Sequence, residues 1–417
     1  MNTKQPQTNN VFKLTDKPIP IIKIGIIGMG NRGIATLKRY MDLKLEGIEF
    51  IAFSDLEQKN VDRAQTILKS HNLPLAKTYS SSSGWKQLCE HPDINLILIC
   101  TDWLTHASLG IYAMEQGKHV AIEVPIAVTV EQCWQLVEAA ERTQRHCTML
   151  ENCCYDPFTL TIKNMVEQGK LGDISHVEGA YIHDLRAMHF KSPQEGGFYD
   201  NWNQKYCMEH TGNPYPTHGL GPLCQILDIH RSDRLTSLVS LSSQQKGLQE
   251  YAKSQFGPTS HEAQLKYKLG DMNTTLIQTK NNKTILLQYS ISLPRPYNRL
   301  FSVCGTKGFA QKYPTPTLTL DPTGDTPYST DEMKHILQQY EHPFITHIGK
   351  PAQKEGIENI MNYMMDYRLI YCLQKGLPLD IDVYDAVEWS CIAELSEQSV
   401  LSGGKPIKIP NFLAERQ

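Results

Sequence analysis

Several signatures are missing from this 417-residue sequence, and each absence narrows the reading. No apolar run approaches the twenty or so residues that a bilayer-spanning helix needs. No basic block occurs: 41 Lys and Arg stand against 44 Asp and Glu, so no nucleic-acid partner is expected. No Cys-x-x-Cys pair occurs among the eleven cysteines, which are scattered through apolar segments such as LILIC and CWQLVEAA. Neither a zinc framework nor a disulfide scaffold follows from such spacing. Reduced, buried thiols and no metal are expected, with the adjacent Cys153 and Cys154 read as packing residues. The first twenty residues, MNTKQPQTNNVFKLTDKPIP, lack the charged-then-apolar pattern of a secretory signal. They read as a disordered or surface-draped lead-in. The cytoplasm is the expected compartment, with periplasmic export left open should a leader have been removed.

With 40% apolar and 20% charged residues the composition is that of a globular protein, and the length implies two domains. Over residues 21–154 short apolar runs alternate with helical stretches of ten or more residues. INLILICT is apolar throughout, as a parallel strand covered on both faces must be. Beyond residue 155 the strands alternate with period two, as in DISHVEGAYIHD, MNTTLIQT and TILLQYSIS, and short turns such as KNNK join them. Helices are predicted near residues 219–231, 331–341, 355–375 and 382–401, and the Pro- and Thr-rich stretch 311–330 reads as a long surface loop.

One stretch organises the first domain. IIKIGIIGMGNRG, residues 21–33, joins a β-branched strand to Gly28, Gly30 and Gly33 in the G-x-G-x-x-G spacing, and the helical IATLKRYMDLKLEG follows. Gly28 permits the sharp strand-to-helix turn, Gly30 leaves room for a pyrophosphate, and Gly33 allows close helix–strand packing. Free N–H groups at the helix start attract the phosphates. Asp55 closes the next strand, IEFIAFSD, where an acid would bond an adenosine ribose and favour NAD. The fold is therefore expected to be α/β: a Rossmann, doubly wound parallel sheet over 21–154, then an α/β domain over 155–417 with a large, open, mostly antiparallel sheet. Substrate would lie between the two. The exposed face of the second sheet is the expected place for a homodimer to form.

In such a sheet the turns after the strands surround the cofactor. They contain Asn31 and Arg32; Trp103, Leu104, Thr105 and His106; Glu123 and Val124; and Asn152. These residues resemble the order of features in the Gfo/Idh/MocA oxidoreductases, whose Glu-Lys-Pro appears here as Glu123–Val124–Pro125. The lysine that moves protons in that family's dehydrogenases is absent. Their Asp-to-His helix signature is also missing, with Thr217 and Gly221 at the corresponding places. An alcohol dehydrogenase needs a base for the hydroxyl proton, and the usual one is gone.

A narrower resemblance accounts for the loss. GIIGMGNRG, IEVP, ENCCY, AYIHDLR, GNPYPTHGLGP, GDMNTTLIQT, PRPYNR and GLPLDIDVYDAVEWS look like glycoside hydrolase family 109, over most of the chain. That family's members are NAD-holding α-N-acetylgalactosaminidases. The resemblance implies a retaining glycosidase that oxidises C3 of the sugar, eliminates across C1–C2, adds water at C1 and re-reduces C3, so that NAD is recycled. It implies Tyr181 as base at C2 and His218 in proton traffic. It further places Tyr215, Pro216, Thr217 and His218 beside the cofactor, and Tyr181, Asn203, Tyr215 and Tyr297 beside the sugar. His183, Asp184 and Arg186 would support that wall as an ion-paired group. Two departures lie at the sugar end. Asn203 stands where the family has Arg, and KEGIENIMNYMMDYRLI replaces a glycine-rich segment with a histidine. A related glycoside is thus a second choice of substrate, and a plain sugar or polyol dehydrogenase or a nucleotide-sensing protein are the alternative functions.

Overall fold

The computed structural model describes residues 10–414. Its first sheet has six parallel strands: β1 (Ile22–Ile27), β2 (Ile48–Ser54), β3 (Lys77–Tyr79), β4 (Leu96–Ile99), β5 (His119–Ile122) and β6 (Cys147–Met149). Their order is β3-β2-β1-β4-β5-β6, which reverses between β1 and β4. Ligands of such sheets bind at this switch point, outside the carboxyl ends of the strands. Every residue of β4 and β5 is buried, which is why their sequences carry no alternation. Capping residues set where the helices begin: Asp102 accepts the Leu104 N–H at 3.0 Å to start Trp103–Glu115, and Thr129 accepts the Gln132 N–H at 3.1 Å to start Val130–Thr143.

The second sheet has eight strands: β7 (Ile174–Ile182), β8 (Leu235–Ser242), β9 (Asn273–Thr279), β10 (Thr284–Ser290), β11 (Ser302–Gly305), β12 (Gly308–Gln311), β13 (Thr317–Leu320) and β14 (Ile407–Lys408). They run in the order β13-β12-β11-β7-β10-β9-β8-β14, and all pairs are antiparallel except β10 with β7. Helix Thr217–Ile226 covers the inner face of β7. Helix Val383–Leu401 is buried nearly all round, Asp385 and Glu388 included, because it lies between the two sheets. On one side its Ser390 Oγ accepts the Ile126 N–H at 3.3 Å; on the other its Ser399 Oγ accepts the Ser240 N–H of β8 at 2.8 Å. Among the described residues no helix is long and apolar enough to cross a membrane.

Three local readings change. The stretch 311–330 is not wholly loop: Thr317–Leu320 alternates Thr and Leu and pairs with β12 as the edge strand β13. Flanking prolines are tolerated there because one side of an edge strand needs no N–H donors. RLFSVCGT, residues 299–306, also reads as a strand from its sequence, but the regular strand starts only at Ser302, since Leu300 and Phe301 take left-handed φ of 55° and 51°. Of the lead-in, residues 1–9 lie outside the described residues, while residues 10–20 are draped over the last two long helices. The Val11 N–H donates to Tyr384 Oη at 3.2 Å, and the Ile19 N–H donates to the Leu373 carbonyl at 3.1 Å.

Candidate active site

A cleft of about 880 Å³ opens at the switch point and runs from the glycine turn to the inner face of the second sheet. At its first end, Gly28 has φ +87°. A Cβ on Gly33 would meet the Gly28 carbonyl oxygen at 1.9 Å, whereas one on Gly30 would meet nothing within 4 Å. The three glycines thus divide into a turn, an open cradle and a packing contact, which fits a pyrophosphate lying over the start of helix Asn31–Met41. Asp55 is drawn against the turn: its Oδ2 accepts the Met29 N–H at 2.6 Å, and its Oδ1 accepts the Glu57 N–H at 2.8 Å. A carboxylate so fixed can take ribose hydroxyls on its remaining lone pairs and repels a 2′-phosphate. Glu123 faces Arg32 at 3.9 Å, and that carboxylate raises the Arg32 pKa further despite burial. His106 is buried, with Nδ1 2.8 Å from the Pro125 carbonyl and Nε2 3.2 Å from that of Thr101; burial lowers its pKa, so its one ring N–H donates to one of the two.

At the far end, helix Thr217–Ile226 lies directly on β7. A Cβ on Gly179 would fall 2.3 Å from the Gly219 carbonyl oxygen, so only glycine allows this approach. The approach sets His218, at the helix start, against Tyr181, at the strand end, with ring centroids 5.5 Å apart. Tyr215 sits between cleft and helix, 4.9 Å from each of these rings and stacked on Trp103 at 5.5 Å. Two tyrosine–histidine pairs result. Tyr181 Oη lies 3.0 Å from His183 Nδ1, and His218 Nε2 lies 3.3 Å from Tyr215 Oη. Behind His218, Glu151 Oε1 accepts from Nδ1 at 2.6 Å.

The two pairs have opposite electrostatics. Burial opposes the charge on His218, but Cys153 and the Glu151 carboxylate outweigh it and push the pKa up to about 10. Burial would raise Glu151, yet its histidine partner holds the carboxyl below its ordinary value. At neutral pH this is an imidazolium–carboxylate pair, and Nε2–H points its proton at Tyr215 Oη. His183 is lowered, chiefly by burial, so it is neutral and free to accept. Burial pushes Tyr181 up to about 12.

The cleft is lined by Gly28, Gly30, Asn31, Arg32 and Asp55, by Trp103, Thr105, His106, Glu123 and Val124, and by Tyr181, Asn203 and Tyr215. The other expected residues stand off it. Gly33 packs the helix, and Leu104 turns outward at 55% exposure. Asn152 donates to Asn362 Oδ1 at 2.6 Å, and Thr217 is fully buried beside Pro216. His218 reaches the cleft only through Tyr215. Tyr297 stands edge-on to Tyr181 and His183 at 6.2 and 5.2 Å. Asp184 and Arg186 form their own two-point ion pair, at 2.9 and 2.8 Å, while His183 turns to Tyr181 instead. At position 221, the family dehydrogenases' histidine has no room, because a Cβ there already meets the Trp389 ring at 2.8 Å.

Sequence reasoning missed Glu151, although it adjoins Asn152, because nothing in its spacing points to a residue sixty-seven positions away. It also missed helix Trp202–Glu209 and the loop 196–200 that roof the cleft. Phe198 and Trp202 there form an aromatic chain to Trp103, with centroids 5.0 and 4.9 Å apart.

Comparison with known proteins agrees with this layout. Residues 155–416 match the model of the glycosyl hydrolase 109 C-terminal domain. Residues 22–150 match that of the oxidoreductase family, NAD-binding Rossmann fold. A glycosyl hydrolase family 109 protein 2 from Bacteroides fragilis (strain YCH46) is 56% identical over 98% of this chain and 96% of its own length. An alpha-N-acetylgalactosaminidase of Bacteroides fragilis (strain ATCC 25285) is 56% identical over the same shares. Among solved structures, a levoglucosan dehydrogenase in complex with NADH and L-sorbose superposes with a TM-score of 0.68 at 18% identity, over 94% of this chain and all of that one. An NAD-binding oxidoreductase from Klebsiella pneumoniae gives a TM-score of 0.70 at 16% identity, over the same shares. These structural likenesses speak to the fold alone. The chain belongs to glycosyl hydrolase family 109: it is a glycosidase built on an NAD-binding Rossmann domain.

Proposed function

We propose that the protein is a retaining glycosidase that cleaves terminal α-N-acetylgalactosaminides, or a closely related glycoside, by elimination and re-addition. The observation that carries the mechanism is the pair of tyrosine–histidine couples with opposite protonation on one wall of the cleft. Titratable groups driven apart by their surroundings mark the acid and the base of a reaction. When bound, NAD would supply a hydride acceptor at C3 of the sugar and later return the hydride, with the C3 hydroxyl proton passing to water in the open cleft and back. Gly30, Asp55, Asn31 and Arg32 would hold it. Tyr181 Oη takes the C2 proton as its own proton passes to neutral His183 Nδ1, a relay that avoids forming a free phenolate of high pKa. Tyr215 Oη protonates the departing glycosidic oxygen as it draws the Nε2 proton from the His218 imidazolium. Glu151 holds that imidazole in place. Water then adds at C1 with the same groups run in reverse. The choice of sugar rests on the 56% identical relative named for that activity.

We further infer that residues 21–154 and 155–417 act as cofactor and substrate domains. Eleven free cysteines support a reducing compartment, the cytoplasm. A second copy of the chain would bind across the open sheet, where Val239, Leu276 and Leu286 stand in register on the outward face.

A panel of α- and β-linked aryl glycosides tests the reading. The expected result is release of the reducing sugar without net NADH, with solvent exchange or a primary isotope effect at C2. Tyr181→Phe should abolish the exchange, and His218→Ala should cut turnover by about a hundredfold or more. Steady NADH accumulation on a free sugar with no glycoside cleavage would make the protein a dehydrogenase instead.

A further inference from the structure

We propose that Glu151, Cys153 and His218 form a binding site for a soft divalent cation such as Zn²⁺, and that the cation inhibits the enzyme by capturing the histidine behind Tyr215. A carboxylate oxygen of Glu151, Cys153 Sγ and a ring nitrogen of His218 lie within 4.8 Å of one another, the one such grouping of three His, Cys, Asp or Glu side chains found among the described residues. One nitrogen, one sulfur and one oxygen donor are the ligand types that zinc takes, with bonds of about 2.0–2.3 Å. Small side-chain movements bring atoms this close into a tetrahedral arrangement, which leaves a fourth position for water.

A second feature points to the same place. Glu151 is fully buried and its Oε2 has no close hydrogen-bond partner, although the Thr217 hydroxyl lies near enough to help hold the carboxyl below its ordinary pKa. A buried carboxylate oxygen without a donor is costly, and a cation satisfies it. The supporting elements are rigid: Cys153 lies in the 3₁₀ turn Asn152–Tyr155, and His218 lies in the first turn of helix Thr217–Ile226. These pack so closely that a Cβ on Gly221 would sit 3.2 Å from Cys154 Sγ.

No spacing rule reveals such a site, because residues 151, 153 and 218 meet only through the contact of turn and helix. Binding stands on this geometry alone. Inhibition rests on the proposed acid role of His218 with Tyr215.

Cd²⁺ is the probe, added to the NAD-loaded protein while the thiolate-to-cadmium ultraviolet band is followed. One equivalent per chain should produce the band, and EDTA should remove it. Cys153→Ser, or Cys153→Ala if serine is not tolerated, should abolish it, while Cys154→Ser should keep it. Glu151→Gln should weaken binding by at least the ~10–100-fold lost with a single supporting partner. Absence of the band, or a band unchanged in both Cys153 variants, would overturn the site. Zn²⁺ should inhibit glycoside cleavage reversibly, with the inhibitory concentration raised about tenfold or more in Cys153→Ser. A Cys153-dependent band without inhibition would keep the site and overturn the acid role of His218.

Discussion

Alanine at Gly33 should damage the fold, whereas alanine at Gly30 should damage only cofactor binding, although the two glycines are three residues apart. On Gly33 a Cβ would lie 1.9 Å from the Gly28 carbonyl oxygen and 2.9 Å from its carbon. Non-bonded atoms of this kind prefer about 3.5 Å, so well over ~1 Å must be found. It cannot come from a swinging side chain, because the obstacle is backbone. Gly28 is held by its left-handed φ of 87° and by its N–H donating to the Ser54 carbonyl at 2.8 Å. Overpacking usually costs about 1–3 kcal/mol, and a backbone clash belongs at or above the upper end. At roughly 2–4 °C per kcal/mol, Gly33→Ala should lower Tm by about 6–12 °C. On Gly30 a Cβ meets nothing within 4 Å and the backbone is ordinary, with φ −62°, so Tm should hold. The added methyl instead occupies the space over the helix start, and NAD affinity should fall about tenfold or more, ~1.4 kcal/mol. Thermal melting without added cofactor and calorimetric titration with NAD measure both. A Gly33→Ala protein that melts with the wild type, or a Gly30→Ala protein that binds NAD as tightly, would refute the division of roles.

Asp55→Ala should weaken NAD about tenfold and narrow the preference over NADP, since it removes the acceptor of the Met29 and Glu57 N–H groups and of the ribose; titration with both cofactors checks it. His230, almost fully buried against Glu388, has its pKa pushed up to about 9 because that carboxylate outweighs burial. The folded value exceeds the unfolded value of about 6.5, so the pair's contribution, on the order of 3 kcal/mol, is complete below about pH 6.5 and is lost as the pH rises through about 9. Urea midpoints of wild type and His230→Gln should therefore differ at pH 6 and converge by about pH 10; a constant gap would refute the pairing. Arg299→Met should destabilise by about 3 kcal/mol, the lower end for breaking a buried pair, because Asp156 loses the 2.7 Å guanidinium contact but keeps Lys312. An unchanged Tm would show that Lys312 alone suffices.

The cofactor end was legible because its requirements are local. A turn, an open cradle and a packing contact each demand glycine at a fixed offset, and Asp55 must close the neighbouring strand. The sugar end was legible only as motifs. YPTH and AYIHDLR mark Tyr215, His218 and Tyr181, but no periodicity says that a Gly179–Gly219 contact brings them to one wall. His183 was read as part of an ion pair with Asp184 and Arg186. Its position two residues beyond Tyr181 on an extended strand puts both side chains on the same face, and that was the available signal. Helix Trp202–Glu209 was hidden because it is only eight residues long: Trp202 and Tyr206, four apart, both pack on Trp103, but one such pair is too short a repeat to mark a helix.

By itself the sequence determined the parallel α/β half, the strand-rich second half, the dinucleotide cradle and the family, because these rest on short-range spacing and on motifs that survive as strings. Tertiary structure alone decided which histidine carries a proton. His218 is charged because Glu151, sixty-seven residues earlier, lies 2.6 Å away in a buried site, and His183 is neutral because it is buried with a phenol for its partner. A side chain's proton affinity is set by the charges and the solvent around it, and residues far apart in the chain supply both.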